Sequence, residues 1–300
     1  MMFLLACAQH APPPPCPVAA VAAPLPPEDA ALRRWKAIMA DEFRAPAGTA
    51  PAALVPELVA YLGSPDPARR DVVAYEVLDH WIRKQVLGEG DVRALADRLV
   101  QNLRGPLDGP DGVFLRSFSA LILASIAARD VATPVLGDAE RRAILAAARD
   151  YAHRETDLRG HTGERGWAHA AAHTADLLAQ LAKLPSLGDD DRAVILDAVA
   201  GFVVRRHGAV LSHGEDGRLG VAVVAAARAG LAQPALTAWL ASLKAAVTQQ
   251  MGHAFDAGVY AAQRNARNLL FTLFVQVSVM PSPSEGERRL LEAVRALFVE

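Results

Sequence analysis

Asp66-Pro67-Ala68-Arg69-Arg70-Asp71-Val72-Val73-Ala74-Tyr75-Glu76-Val77-Leu78-Asp79-His80-Trp81-Ile82-Arg83-Lys84-Gln85-Val86-Leu87 is the stretch whose reading decides the fold. Val72, Tyr75, Leu78, Ile82 and Val86 recur at spacings of three and four, which is the repeat of one helix face rather than the alternation of a strand. The same rhythm extends in both directions. Upstream it predicts helices over 28–43 and 51–62. Downstream it predicts helices over 91–103, 113–128, 138–151, 164–184, 189–206, 217–229, 234–249, 260–279 and 284–299. Short breaks of Gly, Pro, Asp and Ser separate them.

The expected fold is therefore all-α, with about twelve helices in antiparallel pairs. Such pairs build a degenerate HEAT-like α-solenoid or an α/α superhelical array. Strict repeat periodicity is absent, so a compact irregular bundle is the rival arrangement. One helical-repeat domain is expected over 28–300.

Composition narrows the function classes. The chain has 300 residues, 52% apolar and 21% charged, which is globular. Lys+Arg number 31 against 33 Asp+Glu, and no basic block with interleaved aromatics occurs, so nucleic acid is not an expected partner. No apolar run reaches the roughly 18 residues of a membrane span. The two cysteines, Cys7 and Cys16, both precede the helical body. Disulfides, thiolate catalysis and cysteine-ligated zinc are thereby excluded for that body.

Residues 1–27 read as a truncated lipoprotein-type signal with a Pro-rich tether. Leu4-Leu5-Ala6-Cys7 resembles a lipobox, and Pro12 to Pro15, Pro17, Pro24, Pro26 and Pro27 favour a stiff extended spacer. The run before Cys7 is too short for a signal peptide and has no basic group. The expectation is conditional: a periplasmic lipoprotein anchored through Cys7 if the true start lies upstream, and a cytoplasmic protein otherwise.

Chemistry concentrates between Asp157 and Asp176. On a helix starting near Glu164, His169, His173, Asp176 and Gln180 fall within roughly 60° of one another. Ala171, Ala175, Leu178 and Ala182 take the opposite side, and Trp167 is expected as a core anchor. Histidines at i and i+4 have the spacing of two-His metal sites, and Asp176 is the candidate third ligand or orienter. The general-base glutamate of His-Glu-x-x-His is missing, since Ala170 stands there. Asp157, His161 and Glu164 lie in the preceding glycine-broken loop, where they can fold over the stripe, and Arg159 stands among them.

A second cluster, His213-Gly214-Glu215-Asp216-Gly217-Arg218, opens a helix two further on. In a stack of pairs, helix starts two apart share an edge, which brings Glu215 and Arg218 within reach of the histidines. Ser117 and Ser119 have no base partner in sequence, so no serine nucleophile is expected.

These residues carry a resemblance. Arg69-Arg70-Asp71-Val72-Val73-Ala74-Tyr75 with Trp81-Ile82, Arg116-Ser117-Phe118-Ser119-Ala120-Leu121, Glu155 to Gly160, Gly166 to Asp176, Glu215 to Leu219 and Arg264-Asn265 resemble the bacterial domain of unknown function 2785 family. The family pattern often has Gly where Thr174 stands. The resemblance implies an all-helical bacterial protein with these positions as its signature, and no activity.

The functional expectation is an interaction or scaffold module with a polar His/Asp/Glu/Arg pocket, binding a protein or small-molecule partner. The alternative is a metal-dependent hydrolase with a divalent metal such as zinc. In it His169, His173 and Asp176 would be ligands, and Asp157, Arg159, Glu164, Glu215 and Arg218 would be catalytic. A third reading is a metal-free enzyme with His169 or His173 as general base.

Overall fold

Helix starts follow local capping chemistry. Asp29 and Asp256 accept the backbone N–H groups of Leu32 and Val259, each at 2.9 Å. At Gly88, Gly137 and Gly188 the side chains of Asp91, Glu140 and Asp191 reach back to the cap N–H. Asp138 is the first residue of its helix, and Gly137 holds the cap position.

The structure, a computed structural model, describes residues 29–205 and 208–299. The expected anchor at Cys7 and the Pro-rich tether lie outside the described residues. The order is α1 (Ala30–Ala40), α2 (Pro51–Tyr61), a π-helical segment (Ala68–Tyr75) running into α3 (Glu76–Arg83), α4 (Glu89–Leu103), α5 (Gly112–Ala132) and α6 (Asp138–Arg154). A 3-10 turn (Gly163–Arg165), α7 (Ala170–Leu181), α8 (Asp189–Val203), α9 (Glu215–Arg228), α10 (Gln233–Thr248), α11 (Ala257–Ser278) and α12 (Glu285–Val299) follow. The fold is all-α, with no strand among the described residues beyond an isolated bridge between His161 and Trp167.

Two rows of helices pack together. α3, α5, α7, α9 and α11 touch successively in one row, and α4, α6, α8, α10 and α12 in the other. One apolar cluster runs from Leu32 to Val294. α5 and α7 lie inside it. α5 is long and apolar enough to cross a membrane by length and composition, contrary to the sequence expectation, yet 78% of that stretch is buried within the protein.

Two expectations need correction. The apolar face of the Asp66–Leu87 stretch is Val73, Val77, Leu78, Trp81 and Ile82, whereas Val72 and Val86 are 41% and 42% exposed. The π-helical segment takes one more residue per hydrogen-bonded turn, which shifts the phase of the stripe. Gln85, with φ 58°, has already left the helix before Val86. α7 is also not amphipathic. Ala170 to Ala175 and Leu177 to Ala179 are all buried, because alanines let α5 and α9 approach on both sides.

Candidate functional site

The segment after α6 folds back on itself. Thr162 and Ala168 donate backbone N–H groups to Gly166 and Gly160 at 2.8 and 2.9 Å, and His169 N–H donates to Arg159 at 3.0 Å. This return loop, rather than a helix, delivers Trp167 and His169. Gly166 sits at φ 69°, and a Cβ there would lie 3.1 Å from Arg70 Nη2 and 3.2 Å from Asp71 Oδ2. The position favours glycine on both counts.

Arg70 anchors the loop to the π-helical segment. It is wholly buried and donates to the carbonyls of Ser64 and Arg165, both at 2.7 Å. Its guanidinium lies 4.1 Å from the Phe114 ring centre and 4.9 Å from that of Phe118. Arg116 anchors the other end of the loop, donating from Nε and Nη2 to Glu155 at 2.7 and 3.1 Å. Glu155 Oε1 also receives the N–H groups of Thr156 and Asp157 at 3.0 Å. The loop that carries the site is thus held by two buried arginines.

His169 caps α7 with φ 48° and ψ 37°, the left-handed region. That conformation costs a non-glycine residue roughly 1–2 kcal/mol, here held by the backbone bridges and by Trp167. The Trp167 and His169 rings lie against each other, tilted by 31°, with centres 4.2 Å apart. His169 is 8% exposed, and its Nε2 lies 3.7 Å from Glu215 Oε1, too far for a hydrogen bond. That nitrogen is buried without a hydrogen-bond partner among the described residues. Burial pushes the His169 pKa down, and the Glu215 charge opposes this in part. Glu215, 1% exposed at the start of α9, receives the His213 N–H at 2.7 Å.

His173 is 5% exposed, and its Nδ1 lies 2.8 Å from Ser117 Oγ. Ser117 Oγ also bonds the carbonyl of Ala168. A hydroxyl has one proton and a carbonyl only accepts. The Ser117 proton therefore goes to Ala168, and His173 Nδ1–H donates to Ser117. Burial, with the nearby His169, Arg218 and Arg70, pushes the His173 pKa well down. The ring is neutral, and its Nε2 carries a lone pair.

Both histidines line a cleft of about 550 Å³ with Asp71, Tyr75, Phe118, Trp167, Asp176, His213 and Arg218. Their ring centres are 5.8 Å apart. Arg218 Nη1 donates to Asp176 at 2.8 Å, and burial raises the pKa of Asp176 and of Asp71. Trp167, expected in the core, is 38% exposed and walls the cleft.

The structure brings together His169, His173, Asp176, Glu215 and Arg218, and leaves other expected residues outside. Asp157 and Arg159 pair with each other at 2.6 Å and line a separate depression of about 450 Å³. His213 borders both hollows, and its ring presses on Gly160. Glu164 is exposed in the 3-10 turn. The expected metal set of His169, His173 and Asp176 is not assembled, and no group of three His, Cys, Asp or Glu side chains among the described residues is placed to hold a metal ion. The i, i+4 argument fails because His169 is off the helix, while His173 Nδ1 is turned to Ser117.

Asp71, Tyr75 and Phe118 were missed as site residues, although the first two lie in the stretch that decides the fold. Ser117 was set aside for want of a base nearby in sequence; its partner is 56 residues away. An apolar groove of about 460 Å³ also runs between α2, α4 and α5, lined by Val55, Val59, Leu95 and Leu115 among others. It gathers no comparable set of buried polar groups.

The fold and cleft together define an all-helical protein with a polar, histidine-floored pocket between its helix starts. A family model described as protein of unknown function (DUF2785) matches residues 99–275, and the chain belongs to that family. No curated protein and no solved structure matches the chain. The matched span contains the motifs from Arg116 to Asn265 on which the resemblance was read, while Arg69 to Tyr75 and Trp81-Ile82 precede it.

Proposed function

We propose that the protein works by binding a small polar molecule in the histidine-floored cleft, with the helical rows as its rigid frame. The observation that carries this reading is the pair of imidazoles, each more than nine-tenths buried, on the floor of one open cleft, with His169 Nε2 buried and unpartnered among the described residues. Burying an unpaired polar group costs on the order of 1–3 kcal/mol, and a docking surface for a protein partner gains nothing from that cost. The cleft volume also falls within the range of small-molecule sites. The metal-dependent hydrolase is not carried forward, because its ligands are not brought to a common point.

One observation favours a second reading. Ser117 holds neutral His173 in the tautomer whose Nε2 is a free base, which suits proton abstraction from a bound molecule. Glu215 beneath His169 would stabilise a proton that arrived there.

A fragment screen by thermal denaturation tests the binding reading. Polar fragments that raise the midpoint of the wild type should lose their effect in a His173→Gln, Trp167→Ala variant. If stabilising fragments act equally on that variant, the cleft is not the site.

A further inference from the structure

We infer that the ligand of this cleft is a small organic cation, carrying an ammonium or guanidinium group, received by Asp71, Asp176 and the His173 lone pair. This rests on the binding reading above.

Charge points the same way. In and beneath the cleft stand three carboxylates, Asp71, Asp176 and Glu215, against two guanidiniums, Arg70 and Arg218. Both floor histidines are neutral, for the reasons given above. Arg70 is wholly buried and committed to two carbonyls, and Arg218 is already paired with Asp176. Glu215 has a backbone N–H as its donor, and the nearest group able to carry positive charge is His169 at 3.7 Å. The site is one positive charge short.

Hydrogen-bonding capacity agrees. His173 Nε2 offers a lone pair. Asp71 Oδ1 is ion-paired with Arg70 Nε at 2.7 Å, and neither atom has an aligned hydrogen bond among the described residues. A ligand N–H satisfies the His173 acceptor. The aromatic rings complete the case. Trp167 is large, partly exposed and faces the cleft beside Tyr75 and Phe118. Indole and phenol faces attract cations. An anion would face Asp71 and Asp176 on the cleft wall, with Glu215 beneath.

The test is calorimetric titration of the full chain at about pH 8 with four probes built on a four-carbon chain: agmatine, n-butylamine, n-butanol and butyrate. Agmatine and butylamine should bind and raise the thermal midpoint, while butyrate and butanol should not. Asp176→Asn should weaken amine binding by about tenfold, and Trp167→Ala should weaken it as well. Asp71→Asn serves as a second charge variant should Asp176→Asn misfold by circular dichroism. Butyrate or butanol binding that is lost in Trp167→Ala, with no amine binding, overturns the cation assignment and leaves the cleft as a binding site. Amine binding that survives all three variants places it elsewhere and also overturns the assignment. Absence of binding by either amine to the wild type overturns it too, and the fragment screen then decides the binding reading by itself.

Discussion

Glu155→Ala isolates the joint on which the site loop hangs. Arg116 and Glu155 are 4% and 0% exposed and share two aligned contacts at 2.7 and 3.1 Å. Removing the carboxylate leaves the guanidinium buried, with the Pro106 carbonyl at 2.6 Å as its remaining partner. Thr156 and Asp157 lose their acceptor at the same stroke. Breaking one side of such a buried pair costs about 3–5 kcal/mol. For a chain of this size that lowers the midpoint by roughly 6–20 °C. Urea denaturation followed by circular dichroism measures the loss, together with a double-mutant cycle. Arg116→Met with Glu155→Met should lose less than either single change, because no charge is left stranded and methylenes fill the space. If Glu155→Ala stays within about 1 kcal/mol of the wild type, or the two single effects simply add, then the pair does not hold the loop and the reasoning fails.

Gly160→Ala would place a Cβ 2.4 Å from His213 Cγ; it should cost about 1–3 kcal/mol by overpacking, read by thermal denaturation, and should displace the ring that separates the two hollows. Ser117→Ala leaves the Ala168 carbonyl and His173 Nδ1–H unpaired, and each buried orphan costs about 1–3 kcal/mol; nitrogen-15 imidazole spectra should show His173 losing its fixed Nδ1–H tautomer, and an unchanged tautomer would count against the assignment. Burial lowers the folded-state pKa of His169 and His173, so their contribution to stability is full above the unfolded value of about 6.5 and falls as pH drops below it. Asp71 and Asp176, raised by burial, act in the opposite sense: their contribution is present below about 3.9 and is lost as pH rises through the raised values. The urea midpoint should therefore decline as pH falls below about 6.5, less steeply in His173→Gln, and a flat wild-type profile would contradict the buried neutral imidazoles.

Most of the architecture was legible in the chain. Spacings of three and four placed the helices of the described residues close to where they stand, apart from α7, which starts six residues later than expected, because helix formation is local and its apolar period is written in consecutive residues. Pro51 marks a helix start for the same reason, whereas the caps at Asp256 and Gly88 begin their helices two or three residues before the expected starts. The placing of Glu215 beside the central histidine region also followed from helix order, since starts two apart share an edge.

What sequence alone left undecided was the finer detail set by contacts between distant segments. The π-helical phase that moves Val72 out and Val73 in has no signature in hydrophobic spacing. His169 fits a helix on paper, but its backbone pairing with Arg159, in a loop clamped by Arg70 and Arg116, holds it in the left-handed region at the helix cap. The tautomer of His173 depends on Ser117 from α5 and a carbonyl from the return loop. Local periodicity determined the helices; burial and hydrogen-bond satisfaction across long separations decided which side chains share the cleft and in which protonation state.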